Sequence, residues 1–162
     1  MTGAVIRVQT ENFDIGVEID RLARAEMEVG AIVAFAGICR SDGGRLAAIE
    51  LEHYPGMAEE EIERIAEEAN QRWPLTGLTI IHRFGRIIPG ENIVLVITAS
   101  LHRDAAFLGA EFLMDFLKTR APFWKLEYPA AKTTATWVAA RTEDDASTRR
   151  WSPTEGETPS RR

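Results

Sequence analysis

The spacing of apolar residues changes period several times along this chain, and each change predicts an element. "AVIRVQ" (4–9) is rich in β-branched residues and reads as a strand. "DIGVEIDRLARAE" (14–26) carries Ile15, Val17, Ile19, Leu22 and Ala23 at spacings that suit a short helix. "GAIVAFAGICR" (30–40) is a nearly continuous apolar run, the pattern of a buried strand that emerges at Arg40. "SDGG" (41–44) is a turn, and "RLAAIELEHY" (45–54) alternates, so 30–54 is expected as a hairpin.

The clearest helix is "PGMAEEEIERIAEEANQRW" (55–73): Pro55 stands near its start, glutamates fill its first turns, and Ile62, Ile65, Ala66 and Ala69 form a stripe. Pro74 closes it, and its glutamates read as a solvated face rather than a carboxylate site. "LTIIHRFGRI" (78–87) and "NIVLVITASL" (92–101) are strands joined through "IPGE". A further helix is expected over 103–119, then strands at 121–128 and 133–140. Strand pairs separated by about three helices point to an α+β fold with antiparallel pairing. Residues 1–141 are expected to form one domain, and 142–162 a polar, flexible tail in which Trp151 is the one large apolar residue.

Composition narrows the function. With 45% hydrophobic and 27% charged residues, the chain reads as a globular protein with a real core. No apolar run approaches membrane-spanning length, the start lacks signal-peptide character, and the cytoplasm is the expected address. The net charge of −6 divides into −8 over residues 1–81 and +2 over 82–162. That balance argues against nucleic acid but leaves room for a small anion in the C-terminal half. One cysteine and three scattered histidines offer no metal-ligand spacing, so neither a metal nor a cofactor is expected.

The scarce residue is lysine. The chain has three, at 118, 125 and 132, against sixteen arginines, and two of the three bracket "KTRAPFWK". Arginine stays charged at any working pH, whereas lysine can give up its proton when desolvated or crowded by another cation. Lys118 and Lys125 are therefore candidates for proton transfer or amine chemistry. The competing reading makes Lys118 a helix-end cation and Lys125 a surface residue lying along an edge strand. His102 and Arg103 stand at a strand-to-helix junction, where free N–H groups favour an anion, although His102 also suits a capping or core role. Arg40 ends an apolar strand, and Cys39 beside it reads as a small buried hydrophobe rather than a thiolate. These residues suggest a phosphorylated small molecule without specifying its reaction.

Six motifs in order carry a resemblance: "LEHYPGM" (51–57), "RWPL" (72–75), "IHRFG" (81–85), "PGE" (89–91), "HRDAAF" (102–107) and "LKTRAPFWK" (117–125). Over about residues 4–141 the chain resembles the MoaE family, the large catalytic subunits of molybdopterin synthase. The resemblance implies an α/β hammerhead-type fold, a central homodimer, and a heterotetramer completed by two copies of a small ubiquitin-like sulfur-carrier subunit. It implies that the carrier's C-terminal Gly-Gly thiocarboxylate delivers sulfur to cyclic pyranopterin monophosphate, building the dithiolene of molybdopterin. Lys118 and Lys125 then match the catalytic lysines. Ile38, Cys39 and Arg40 match one wall of the substrate pocket, and Leu126 and Glu127 after Lys125 match another. His102 and Arg103 match a substrate-contacting pair, and Arg141 an arginine reaching toward the neighbouring protomer's site. The alternative is a module that binds a phosphometabolite or docks a carrier without turning anything over.

Overall fold

A computed structural model describes residues 3–131, 134–139 and 142–152. Its first sheet takes strands β1 (Gly3–Gln9), β4 (Leu75–Arg83), β6 (Asn92–Ser100) and β2 (Ala31–Ile38), in that order across the sheet. β4, β6 and β2 pair antiparallel, as expected for an α+β fold, while β1 joins β4 in parallel. The central strands are apolar on both faces because both are covered. Leu78 and Ile80 of β4 and Val94 and Val96 of β6 pack against α2 (Met57–Arg72) and α3 (Arg103–Thr119). The alternate residues Ile81, Leu95, Ile97 and Ala99 meet Leu22 of α1 (Ile15–Ala25) on the other side.

Local chemistry sets the helix ends. Asp14 caps α1 by accepting from Val17 N at 3.0 Å. Gly56 enters α2 at φ 87° and donates its N–H to the Glu59 carboxylate at 2.9 Å. Pro74 ends α2, and Pro122 follows the end of α3.

The second sheet is antiparallel, in the order β5 (Gly85–Ile87), β3 (Leu46–His53), β7 (Phe123–Pro129), β8 (Thr136–Val138). The expected hairpin of residues 30–54 does not form, because β2 pairs with β6 and β3 with β5 and β7. The turn between them has positive φ at Asp42, Gly43 and Gly44, and it hands the chain from one sheet to the other. The expected strand over 78–87 is likewise divided: β4 stays in the first sheet, and Gly85, at φ 82°, starts β5 in the second. Cys39, Ile49, Leu51 and Ile87 form a small core where the sheets meet.

A fourth helix, α4 (Thr142–Arg149), lies where a flexible tail was expected to begin. It is fastened to α3 by the residues that follow it. Arg150 pairs with Glu111 at 2.7 Å, and the Trp151 indole N–H donates to Asp115 at 2.6 Å. The Trp151 ring packs edge-on against Trp73 and Phe112.

Candidate active site

One end of the first sheet gathers most of the residues singled out above. Helix α3 runs back along β6, so its last turn, with Lys118, stands beside the ends of β4 and β2. The chain then reverses through 120–122 into β7. Phe123 opens that strand, and the His82 ring lies flat against it, centroids 3.8 Å apart and planes at 12°. His53, across the strand pair from Phe123, also stacks on it at 5.7 Å and tilts against Phe84 at 4.4 Å. The stack grips the chain between the two lysines, two residues before Lys125.

His82 donates from Nδ1 to the Arg83 carbonyl at 2.9 Å. Burial pushes its pKa down to about 4, and the nearby charges of His53 and Lys118 push the same way. The imidazole under Lys118 is therefore neutral near pH 7. Lys118 itself is exposed at the helix end.

Two residues beyond Phe123, Lys125 leaves β7 half-exposed with its Nζ 3.4 Å from Glu127 Oε1. Strand alternation puts Lys125 and Glu127 on one face, and both bear electrostatically on Cys39. Leu126 is directed to the opposite face, in register with Glu50 and Trp137, so the Lys125–Glu127 wall is made by two charged side chains and the Leu126 backbone.

Cys39 is 4% exposed. Its N–H donates to Glu91 O at 2.9 Å and its carbonyl accepts from Gly90 at 2.8 Å. Burial raises its thiol pKa, a larger effect than the lowering by Lys125, so the group stays a thiol. Of the "ICR" triplet, then, Ile38 and Arg40 face outward while Cys39 props the strand end from within.

His102 and Arg103 lie elsewhere. They begin α3, at the end of the sheet opposite Lys118. His102 and Lys118 are sixteen positions apart along the helix, about 24 Å at 1.5 Å per residue. His102 makes no side-chain capping bond, and the Arg103 guanidinium is exposed, 3.7 Å from Asp104. Arg141 lies outside the described residues.

Sequence reasoning passed over His53 and His82 as strand residues without metal spacing. "IHRFG" held the missing signal: a histidine and an arginine side by side within an apolar strand, each needing a polar or aromatic partner once buried.

This end of the molecule therefore carries exposed Lys118 and Arg40, Lys125 paired with Glu127, and the neutral imidazole of His82. Such a group can bind an anionic small molecule and move protons on it. Residues 8–120 match the family model described as MoaE protein. A molybdopterin synthase catalytic subunit from Brucella melitensis is 60% identical over 146 residues, 90% of each chain. Among solved structures, the molybdopterin biosynthesis MoaE protein from Burkholderia ambifaria superposes with a TM-score of 0.78 at 46% identity, covering 91% of this chain and 97% of that one. A complex of subunits 1 and 2 of molybdopterin-converting factor from Helicobacter pylori shares the fold at 18% identity and a TM-score of 0.68, covering 85% and 90%.

Proposed function

Because the chain belongs to the MoaE family, its reaction is the sulfur transfer of molybdopterin synthase, and we propose that Lys118 and Lys125 carry it out in the cleft beside Arg40. The sulfur donor in this reading is a small ubiquitin-like carrier ending in a Gly-Gly thiocarboxylate, and the acceptor is cyclic pyranopterin monophosphate. Each transfer forms a carbon–sulfur bond on the pterin side chain in place of a carbon–oxygen bond, whose oxygen leaves as water or stays on the phosphate, and breaks the carrier's acyl–sulfur bond. Water supplies the oxygen with which the carrier leaves as a carboxylate. The dithiolene needs two such rounds, so a spent carrier is exchanged between them.

What supports the assignment is that two of the chain's three lysines flank Phe123, which stacks on His82, and that the charge of Lys118 bears on His82 while that of Lys125 bears on Cys39 at the end of β2. Arginine would supply the charge alone; lysine adds a proton that can move. Lys118 is the acid/base or transient amine group. Lys125, paired with Glu127, steadies the negative charge of thiocarboxylate and phosphate. Cys39, buried and protonated, is not a sulfur relay.

The roughly 24 Å between the ends of α3 bears on assembly. His102 and Arg103 do not reach the lysines of their own protomer. They serve the site only if a second copy presents them, which makes the homodimer a condition of a complete pocket. Arg141 is assigned with them to the neighbouring protomer's substrate. With one carrier per protomer the assembly is a heterotetramer.

Single-turnover sulfur transfer tests the reading. The chain is mixed with thiocarboxylated carrier and cyclic pyranopterin monophosphate, and molybdopterin is quantified for wild type, Lys118→Ala and Lys118→Arg. Wild type should form product, and both variants should lose about 100-fold or more. Activity retained in Lys118→Arg would show that charge suffices and remove the role given to a titratable amine. No product from wild type with the carrier bound would leave a binding module.

A further inference from the structure

Arg83 follows His82 on β4 and is 5% exposed, an uncommon situation for a full positive charge. Its guanidinium is fully engaged. Nε and Nη2 both donate to the Thr10 carbonyl, at 3.0 and 2.8 Å. Nη1 donates to the Asn92 carbonyl at 3.0 Å and to Glu91 Oε2 at 3.2 Å. That carboxylate oxygen also accepts from Ile88 N at 3.2 Å, so the buried charge closes the turn over residues 88–91.

The turn in turn holds the end of β2. Glu91 O accepts from Cys39 N, and Gly90 N donates to Cys39 O, at 2.9 and 2.8 Å. Cys39 is seated on Ile49, Leu51 and Ile87. The next residue is Arg40, which is exposed. A chain of short contacts thus runs from Arg83 through Glu91 to the backbone on which Arg40 stands.

We infer that Arg83 and Glu91 are positioning residues for Arg40, fixing the strand end so that its guanidinium meets the substrate's phosphate. This rests on the reading of Arg40 as a substrate-facing residue. Stability alone gives a weak reason for the arrangement, since buried ion pairs are often replaceable by apolar groups at no cost. An apolar residue, however, could not bind the carbonyls of Thr10 and Asn92 and a carboxylate together. Directional bonds to two segments, at Thr10 and at residues 91–92, set a position, and a guanidinium displaced from a substrate's phosphate gives up charge-assisted hydrogen bonds.

The experiment is a double-mutant cycle on the carrier-bound enzyme, with Glu91→Gln, Arg40→Ala and the pair. It reads KM for cyclic pyranopterin monophosphate, kcat and the thermal midpoint. Glutamine keeps an oxygen for Ile88 N but removes the charge facing Arg83. Glu91→Gln should raise KM about tenfold and change kcat less than about twofold, with Arg83→Lys behaving alike. In the Arg40→Ala background Glu91→Gln should add nothing, because its effect passes through the missing guanidinium. An equal, multiplicative loss in both backgrounds, or no loss in either, overturns the inference while leaving Arg40 its role. An unchanged KM in Arg40→Ala alone removes that role, and the inference goes with it.

Discussion

His82 and Phe123 lie face to face, 3.8 Å between ring centroids, and the contact joins the end of β4 to the segment that separates Lys118 from Lys125. The buried imidazole is held uncharged there, because desolvation disfavours its protonated form. Burial holds the folded-state pKa at about 4, below the ordinary histidine value.

A pH dependence of stability follows. As pH falls below about 6.5 the unfolded chain takes up a proton at His82 that the folded chain refuses until about pH 4. Across that window folding loses up to about 3 kcal/mol. His82→Phe keeps a ring against Phe123 and removes the proton. Urea midpoints taken near pH 7 and near pH 4.5 should therefore fall less with acid in the variant than in wild type. Equal falls would place the acid sensitivity elsewhere.

Cys39 should be dispensable for chemistry. Its thiol is buried and its pKa raised by that burial, so iodoacetamide should label it slowly in the folded protein and rapidly in urea. Cys39→Ala should keep sulfur transfer within about twofold while costing about 1 kcal/mol of stability from the lost packing. A collapse of activity in a folded Cys39→Ala would show that the sulfur passes through this residue.

Trp151 anchors α4 through its ring, against Trp73 and Phe112, and through its N–H, to Asp115. Trp151→Ala should destabilise by about 2–3 kcal/mol, less than a fully buried aromatic because the residue is only half-buried. Trp151→Phe keeps most of the packing and loses the hydrogen bond, a cost of about 1 kcal/mol. Chemical unfolding of both variants measures the two parts separately. An unaltered midpoint in Trp151→Ala would mean that α4 adds nothing to the fold.

The helices α1, α2 and α3 were legible because their signals are local: apolar residues at helical spacing, glutamates in the first turn of α2, and Pro74 after its end. Strand pairing is not local. "SDGG" announces a turn, but its glycines are as compatible with a change of sheet as with a hairpin, and only the competition between β3 and β6 for β2 decides. The division at Gly85 was hidden for a related reason, since β4 and β5 are both apolar and only a positive φ separates them. Trp151 stood alone in a polar stretch, and its partners lie on α2's end and α3, far away in sequence. The lysines stood out by their scarcity, and the structure sets Lys118 in the last turn of α3 and Lys125 on β7. The histidine stack was not, because two of its rings come from strands separated by α2.

Arg103 opens α3 and Lys118 stands in its last turn, so about 22 Å of helix keeps them apart within one protomer. The proposed dimer predicts complementation between two inactive variants. Lys118→Ala and Arg103→Ala homodimers should each lack sulfur transfer, one for want of the amine and the other for want of the phosphate contact. After mixing and exchange of protomers, about half of the dimers are mixed. In a mixed dimer one site combines both defects, and the other pairs an intact Lys118 with an intact Arg103 from the neighbour. About a quarter of wild-type activity should return. If both residues instead served a site within one protomer, every site in the mixture would carry a defect. Mixing would then restore nothing, and the dimer would lose its place in the chemistry.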